Sequence, residues 1–236
     1  MSTLQIPVTK VFRRRVTEAA GKSARLKTLD CNDMHERELH AQGRLHIAGV
    51  DEVGRGCLFG PVVAAAVILP AELVALKELG LRDSKQLTEP MRVRLDREVR
   101  AVALAVSVAE VDAATIDRIN IYQASRLAML RAVQGLALAP DHLLIDAMTL
   151  DHPCAQTRLI HGDALSLSIA AASVVAKVYR DALMLALDAE FPHYGLAAHK
   201  GYGTARHRSA LLQHGACEHH RRTFGPVAAV LAAQRS

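Results

Sequence analysis

The chain of 236 residues is long enough for one domain with a sizeable core, since half of its residues are apolar. Aromatic residues make up only 3% and tryptophan is absent, which argues against an extended platform of rings for stacking bases. Residues 1–45 carry nine basic against five acidic residues, residues 46–190 carry 14 against 18, and residues 191–236 carry six against one. An acidic centre between basic ends suits a carboxylate site whose surroundings attract a polyanion, although ordinary surface charge explains the distribution equally well.

The cysteines and the apolar segments favour a cytoplasmic protein. The four cysteines are scattered, with no Cys-x-x-Cys pair and no zinc spacing, so we expect reduced thiols. The N-terminus lacks the apolar core of a secretory signal. The longest apolar region, near residues 57–76, is interrupted by glycine, proline and glutamate, which predicts no membrane span.

The predicted elements begin after a polar segment. Residues 1–45 predict a mobile basic tail, with a short helix around residues 8–20. An extension with no dedicated role is the favoured interpretation, and loose nucleic-acid binding is the alternative. The predicted strands cover residues 45–51, 62–69, 101–108, 142–146 and 157–161. The predicted helices cover residues 71–79, 88–100, 121–138, 166–190 and 204–214. Three successive strands followed by strands alternating with helices indicate an α/β sandwich around a mixed sheet.

Two adjacent carboxylates, Asp51 and Glu52, end the first predicted strand just before Gly54-Arg55-Gly56. Like charges this close repel, and a hard divalent cation such as Mg²⁺ or Mn²⁺ would relieve the repulsion. Neighbouring strand residues point to opposite faces, so both acids reach one site only if the strand ends or bends there. On these residues alone, a surface acidic pair beside a turn is the more frequent arrangement.

Two more acids follow predicted strands. Asp146 ends an apolar run, at the edge of the sheet where functional groups collect in α/β folds. Asp163 lies just before the long helix that begins near residue 166, where helix capping is an alternative role. With the first pair, these two acids would complete a site for two cations. Asp181, inside the long helix, is instead predicted to be an ion-pair partner.

The Gly-Arg-Gly segment (residues 54–56) places a guanidinium between exposed backbone N–H groups, an arrangement that suits a phosphate or a sugar. Tyr202, between two glycines, could stack on a sugar or base and sense a 2′-hydroxyl, or else pack locally in a turn. Ser84 and Lys85 offer a hydroxyl and an ammonium to a phosphate, or form a solvated loop.

Together these segments resemble bacterial ribonuclease HII, a type 2 ribonuclease H, over roughly residues 45–226. Each block is modest alone, and the resemblance rests on their order and spacing. The blocks are residues 48–56, 60–67, 83–87, 119–121, 162–163, 168–178, 200–204 and 220–224, with the strand ending in Asp146. Cys57, Phe59 and Thr223 depart from the usual residues, but none of them is a proposed ligand.

The resemblance implies an RNase H-like fold: a five-stranded mixed sheet flanked by helices, with a helical C-terminal region. The catalytic domain would span residues 46–226, between the basic tail of residues 1–45 and a C-terminal tail of residues 227–236. The implied ligands of two Mg²⁺ or Mn²⁺ ions are Asp51, Glu52, Asp146 and Asp163. The implied substrate-binding residues are Gly54, Arg55, Gly56 and Tyr202, with Ser84 and Lys85 as phosphate contacts.

The activity implied by the resemblance is endonucleolytic hydrolysis of the RNA strand of RNA/DNA hybrids, by a monomer. The enzyme would also cut on the 5′ side of ribonucleotides embedded in duplex DNA, leaving 3′-hydroxyl and 5′-phosphate ends. A ribonuclease HIII-like enzyme is one alternative, but residues 1–45 are too short and polar for its usual N-terminal domain. A non-catalytic nucleic-acid-binding module of the same fold is another, and the presence of all four acids argues against it.

Overall fold

The structure, a computed structural model, describes residues 29–234. Its helices are α1 (Met34–Ala41), α2 (Val74–Glu78), α3 (Glu89–Val102), α4 (Ala113–Gln134), α5 (Leu167–Glu190), α6 (Leu196–His199), α7 (Ala205–His214) and α8 (Gly225–Ala233). Its strands are β1 (Ile47–Val53), β2 (Val62–Ile68), β3 (Ala105–Val111), β4 (His142–Asp146) and β5 (Ala155–Leu159). Short 3-10 helices cover Ser84–Gln86, Gly162–Ala164 and Pro192–Tyr194.

The strands of residues 29–234 form one five-stranded sheet in the order β3-β2-β1-β4-β5. The central strand β1 pairs antiparallel with β2 and parallel with β4. The outer strands extend each half, since β3 is antiparallel to β2 and β5 is parallel to β4. The chain crosses from the edge strand β3 to β4 through α4, whereas residues 147–154 alone join the parallel strands β4 and β5. The predicted mixed sheet flanked by helices is confirmed.

Both faces of the sheet are apolar. Side chains alternate between the two faces along each strand, and all the residues of β2 are apolar and buried. The even-numbered residues of β2 share a buried cluster with Ile116 and Met129 of α4. The odd-numbered residues 63–67 share a second cluster with Leu95 of α3 and Val174 of α5. The sheet is therefore covered on both sides, the arrangement of a three-layer α/β sandwich. No helix within residues 29–234 has the length and apolar character needed to cross a membrane.

Helix α5 lies directly against the central strand. A Cβ atom at Gly49 of β1 would come within 2.0 Å of the backbone carbon of Ser168, so only glycine allows this approach. The α5 N-terminus is capped by Ser166, whose Oγ accepts a hydrogen bond from the Ile169 amide at 3.2 Å. This packing brings the turn that precedes α5 close to the C-terminal end of β1.

Each of the two predicted tails contains residues of a helix. Helix α1 lies inside the predicted N-terminal tail, and the packed unit begins at Cys31. Helix α8 likewise continues past residue 226 and buries Val227 and Val230. Polar composition concealed α1, because its main anchor is a buried acid, Glu36, and not an apolar stripe. The short helix expected around residues 8–20 lies outside the described residues.

Glu36 joins α1 to the start of α5. Its Oε1 accepts hydrogen bonds from the Ser166 hydroxyl at 2.6 Å and from the Ser168 amide at 2.9 Å. We expect Glu36→Ala to lower the free energy of unfolding by about 1–3 kcal/mol, because two buried donors lose their acceptor. Chemical denaturation would measure the change, with the exposed Glu38→Ala as the matched control. Equal stability of the two variants would contradict this anchoring role.

The starts of β3 and α4 differ from the predicted ones. β3 begins at Ala105 and not at residue 101, because α3 continues through Val102. Helix α4 begins at Ala113, but Asn120 interrupts it with a left-handed φ of 66°. The Asn120 side chain then accepts hydrogen bonds from the amides of Tyr122 and Gln123, as an N-cap does. The predicted start at residue 121 therefore corresponds to the second segment of α4.

Candidate active site

Asp51 and Asp146 lie side by side at one edge of the sheet. β1 and β4 run parallel, with Val50 opposite Ile145. The next residue of each strand is an acid, so the register itself makes Asp51 and Asp146 neighbours. This is the juxtaposition that the sequence predicted from two strands ending in carboxylates.

The Asp51 carboxyl is strongly perturbed. It is 4% exposed, and burial is the main reason why its pKa lies well above the usual value. The negative charges of Glu52, Asp146 and Asp163 raise it further. The four candidate ligands thus form one electrostatic cluster, and each acid makes a second negative charge beside it less favourable.

Asp146 and Asp163 are linked through the backbone of one turn. The Gly162 amide donates to Asp146 Oδ1 at 2.7 Å, which fixes the turn against the end of β4. Burial raises the pKa of Asp146, partly opposed by this hydrogen bond. Asp163 follows in the same turn and is buried. Because Ser166 supplies the α5 cap, Asp163 is not needed for the capping role considered above.

Within residues 29–234, two cationic side chains contact the acidic cluster. Lys85 Nζ lies 2.6 Å from Asp163 Oδ2 and 3.7 Å from Asp83 Oδ1. Burial lowers the pKa of Lys85, but the hydrogen bond and charge of Asp163 outweigh it and raise the pKa overall. Arg55 Nη1 lies 3.3 Å from Glu52 Oε1. Two positive charges cannot balance four carboxylates. The cluster therefore keeps excess negative charge when all four acids are ionised.

The donor set fits a hard divalent cation, although the side chains are not yet arranged around one. Glu52 Oε2 is buried and has no hydrogen-bond partner within the described residues. This oxygen can therefore bind a cation without losing a hydrogen bond. Within residues 29–234, no group of three or more Asp, Glu, His or Cys side chains is close enough to enclose an ion. Asp51 Oδ1 accepts from the Glu52 amide at 2.8 Å, and Lys85 Nζ donates to Asp163 Oδ2 at 2.6 Å.

The Gly-Arg-Gly segment and Tyr202 lie next to each other. Cys57 and Tyr202 form an isolated antiparallel bridge, and the Leu58 amide donates to the Gly201 carbonyl at 2.8 Å. The Tyr202 residue remains 41% exposed, and burial of its hydroxyl raises its pKa. The Arg55 side chain is also 41% exposed. Arg55 and Tyr202 are therefore both accessible, and the bridge places the segment that follows Gly56 beside Tyr202.

Gly54 is required by packing. It has a φ of 90°, and a Cβ atom there would lie 2.2 Å from Arg180 Nε. Gly56 has open space around its Cα, so its role is not one of packing. Ser84 is placed less favourably as a phosphate contact, because it is buried and its hydroxyl lies 2.9 Å from the Ser173 hydroxyl. Of the Ser84–Lys85 pair, only the lysine reaches the acidic cluster.

Sequence reasoning missed two buried arginines. Arg180 donates to the carbonyls of Phe59, Pro61 and Lys200 at 3.2, 3.2 and 2.9 Å. Arg221 donates to the carbonyls of Gly60 at 3.0 Å and Arg55 at 2.8 Å. Neither guanidinium has an ion-pair partner within residues 29–234. One signal was available, since Arg180 is a charged residue on an otherwise alanine-rich helix.

The prediction for Asp181 is confirmed. Its carboxylate pairs with Lys177 at 2.6 Å and with Arg92 at 3.7 Å, away from the candidate ligands. The acid is therefore an ion-pair partner within α5 and between helices.

Comparison with known proteins agrees with this geometry. The sequence model of the family described as ribonuclease HII matches residues 48–227. A ribonuclease HII of Koribacter versatilis is 52% identical over 221 residues, which cover 94% of this chain and 86% of that protein. The crystal structure of ribonuclease H2 from Pyrococcus horikoshii has a TM-score of 0.72 at 24% identity, over 81% of this chain and all of that one.

A second solved structure, Bst-RNase HIII in complex with Mn²⁺, has a TM-score of 0.64 at 22% identity. The match covers 81% of this chain and 71% of that one. At such identities the two solved structures establish the fold, which is RNase H-like. With half of its residues identical to a curated relative along nearly its whole length, this chain belongs to the ribonuclease HII family of metal-dependent endoribonucleases, which hydrolyse RNA in RNA/DNA hybrids.

Proposed function

We propose that the enzyme cuts on the 5′ side of ribonucleotides by two-metal-ion catalysis, in RNA/DNA hybrids and in duplex DNA with embedded ribonucleotides. The observation that carries the proposal is the gathering of four carboxylates beside an exposed tyrosine and the Gly-Arg-Gly segment. The products would be a 3′-hydroxyl and a 5′-phosphate.

The ligands of two Mg²⁺ or Mn²⁺ ions would be Asp51, Glu52, Asp146 and Asp163. When bound, the ions supply positive charge at the reacting phosphate and a water acidic enough to attack phosphorus. A Mn²⁺ complex of a protein with the same fold, a ribonuclease HIII, makes Mn²⁺ a reasonable first choice for assays. The unpartnered Glu52 oxygen and the mutual repulsion of the acids support the same ligand set.

The chain's own residues orient the substrate and the acids. The exposed guanidinium of Arg55 can exchange Glu52 for a substrate phosphate, which it would hold by paired N–H donors. Tyr202 would pack against the sugar of the ribonucleotide and meet its 2′-hydroxyl. Lys85 keeps its positive charge next to Asp163 and can turn towards a phosphate as the acids are neutralised. Phosphate contacts of this kind set register without reading base sequence.

The test is a duplex carrying one ribonucleotide, compared with a long RNA/DNA hybrid and with plain DNA, each with Mn²⁺ or Mg²⁺. We expect cleavage of the first two only, with 3′-hydroxyl ends that a DNA polymerase extends directly. A 2′,3′-cyclic phosphate or a 3′-phosphate end would contradict hydrolysis by a metal-activated water. Binding without cleavage under either metal would instead favour the non-catalytic module.

Tyr202→Ala should lower kcat/KM for the single-ribonucleotide duplex by roughly 10- to 100-fold, because stacking on an aromatic ring contributes about 1–3 kcal/mol. Steady-state kinetics on the three substrates would measure the change. Tyr122→Ala is the matched control, since Tyr122 is similarly exposed, at 47%, on α4. Equal kinetics of the two variants would remove Tyr202 from substrate recognition.

The ribonuclease HIII alternative has less support. Relatives named ribonuclease HII are half identical to this chain, whereas the solved ribonuclease HIII shares 22% identity and matches over 71% of its own length. We further propose a cytoplasmic monomer. All candidate ligands come from one chain, and Cys57, Cys154 and Cys217 form no disulfide, as reducing conditions would keep them. Light scattering of the purified enzyme would test the oligomeric state.

A further inference from the structure

Two buried histidines, His207 and His220, lie next to the backbone of Tyr202. His207 of α7 places its Nδ1 3.0 Å from the Tyr202 carbonyl oxygen, and its Nε2 3.4 Å from the Nε2 of His220. His220 Nδ1 lies 3.1 Å from the Cys217 amide nitrogen. We call these three linked residues, Cys217, His220 and His207, the histidine relay. Both imidazoles are 1% exposed or less, so water does not replace these contacts.

The hydrogen bonds allow one proton arrangement for the relay. A carbonyl oxygen only accepts, so His207 must carry its proton on Nδ1 and leave Nε2 as an acceptor. His220 must then donate from its own Nε2, and its Nδ1 accepts from the Cys217 amide. Both rings are neutral in this arrangement. A further proton on either ring would set two donors against each other and break one of the three bonds.

The surroundings favour the neutral rings. The groups packed around the relay are the rings of Phe59, Tyr194, His193, His199 and His219, with the Cys217 thiol 3.3 Å from His220 Nδ1, and none of them is a carboxylate. Burial lowers the pKa of His207, and it lowers the pKa of His220 to about 3. The neutral relay therefore persists throughout the neutral pH range.

At one end of the relay, His207 donates to the backbone of Tyr202, the residue proposed to sense the ribonucleotide. The Tyr202 amide donates to the His199 carbonyl at 2.9 Å, and the Tyr202 carbonyl accepts both from His207 and from the Thr204 amide at 2.8 Å. Its peptide groups are thus held on both sides while its ring stays accessible, at 41% exposure. His207 itself is buried and does not reach the substrate surface, so any effect on the reaction must pass through Tyr202.

We infer that His207 is a positioning residue for substrate recognition: its Nδ1–H, with a tautomer set by His220, holds the Tyr202 backbone so that the ring faces the ribonucleotide. The inference rests on the proposed role of Tyr202. Because His207 touches no reacting group, its loss should raise KM for the single-ribonucleotide duplex while kcat at saturating substrate is retained.

The test compares two substitutions at one position. His207→Leu removes the donor, and we expect KM to rise roughly fivefold to tenfold, the equivalent of one hydrogen bond. His207→Asn keeps an amide N–H bonded to Cγ, where Nδ1 is bonded, and should restore most of the KM. Thermal melting of both variants separates this effect from a general loss of stability. His214→Asn, at the exposed end of the same helix, is the control and should match the wild type.

A double-mutant cycle decides whether the effect passes through Tyr202. The His207→Leu penalty should disappear in a Tyr202→Ala background. If Tyr202→Ala alone leaves KM unchanged, the proposed role of Tyr202 fails and the inference fails with it. If Tyr202→Ala raises KM but His207→Leu does not, only the inference is overturned. Equal KM values for the Leu and Asn variants, or additive effects in the cycle, would also overturn it, because they indicate packing and not a hydrogen bond.

Discussion

Asp51→Asn is expected to lower the cleavage rate by at least about 10³-fold while it stabilises the metal-free protein. The loss follows from weaker metal binding, since metal ions contribute several kcal/mol of transition-state stabilisation and about 1.4 kcal/mol changes the rate tenfold. The gain in stability follows from the cluster itself. Burial and three neighbouring acids raise the pKa of Asp51, so a neutral amide removes a buried charge that its neighbours repel.

Two measurements separate these opposite effects. Single-turnover cleavage at saturating enzyme gives the rate, and thermal melting in EDTA gives the stability, where about 1 kcal/mol corresponds to roughly 2–4 °C for a chain of this size. Added Mn²⁺ should raise the melting temperature of the wild type more than that of the variant. Asp151→Asn, an exposed acid outside the cluster, is the matched control. Wild-type cleavage by Asp51→Asn would exclude this carboxylate from the metal site.

Arg180→Ala is expected to lower the free energy of unfolding more than Glu36→Ala does. Its guanidinium is fully buried and donates to three backbone carbonyls, two in the segment of residues 59–61 and one at Lys200. Each unpartnered buried carbonyl costs about 1–3 kcal/mol, and the missing side chain also leaves a cavity. Since these costs are not additive, we expect the free energy of unfolding to fall by about 3–5 kcal/mol.

The same substitution should also impair recognition of the substrate. Arg180 packs against Gly54 and donates to the carbonyl of Lys200, so it joins the two segments that carry the proposed substrate-binding residues. We expect a raised KM in the folded fraction, measured beside urea denaturation. Arg180→Lys should rescue little, because an ammonium cannot reproduce a fork of parallel donors. The exposed Arg94→Ala is the control, and a comparable change of about 0.5 kcal/mol for both would refute the structural role.

The sheet edge that carries Asp51 and Asp146 could be predicted because its determinants are local. Residues 142–146 form an apolar run that ends in an acid, and β4 has these bounds in the structure. Residues 166–190 are equally well defined, as α5 begins after its Ser166 cap. By contrast, α1 has a low apolar content, and its anchor, Glu36, becomes meaningful only when Ser166 and Ser168 are opposite it.

The sequence by itself determined the order of the five strands and the longer helices along the chain, the positions of the four acids at or near strand ends, and the family. These features follow from periodicity, capping residues and motif spacing, which are properties of short stretches of chain. Only the tertiary structure decided which groups meet. Lys85 reaches Asp163 across 78 residues, and Arg221 reaches the Arg55 carbonyl across 166. Contacts between such distant residues depend on how the layers pack, so no local pattern of residues predicts them.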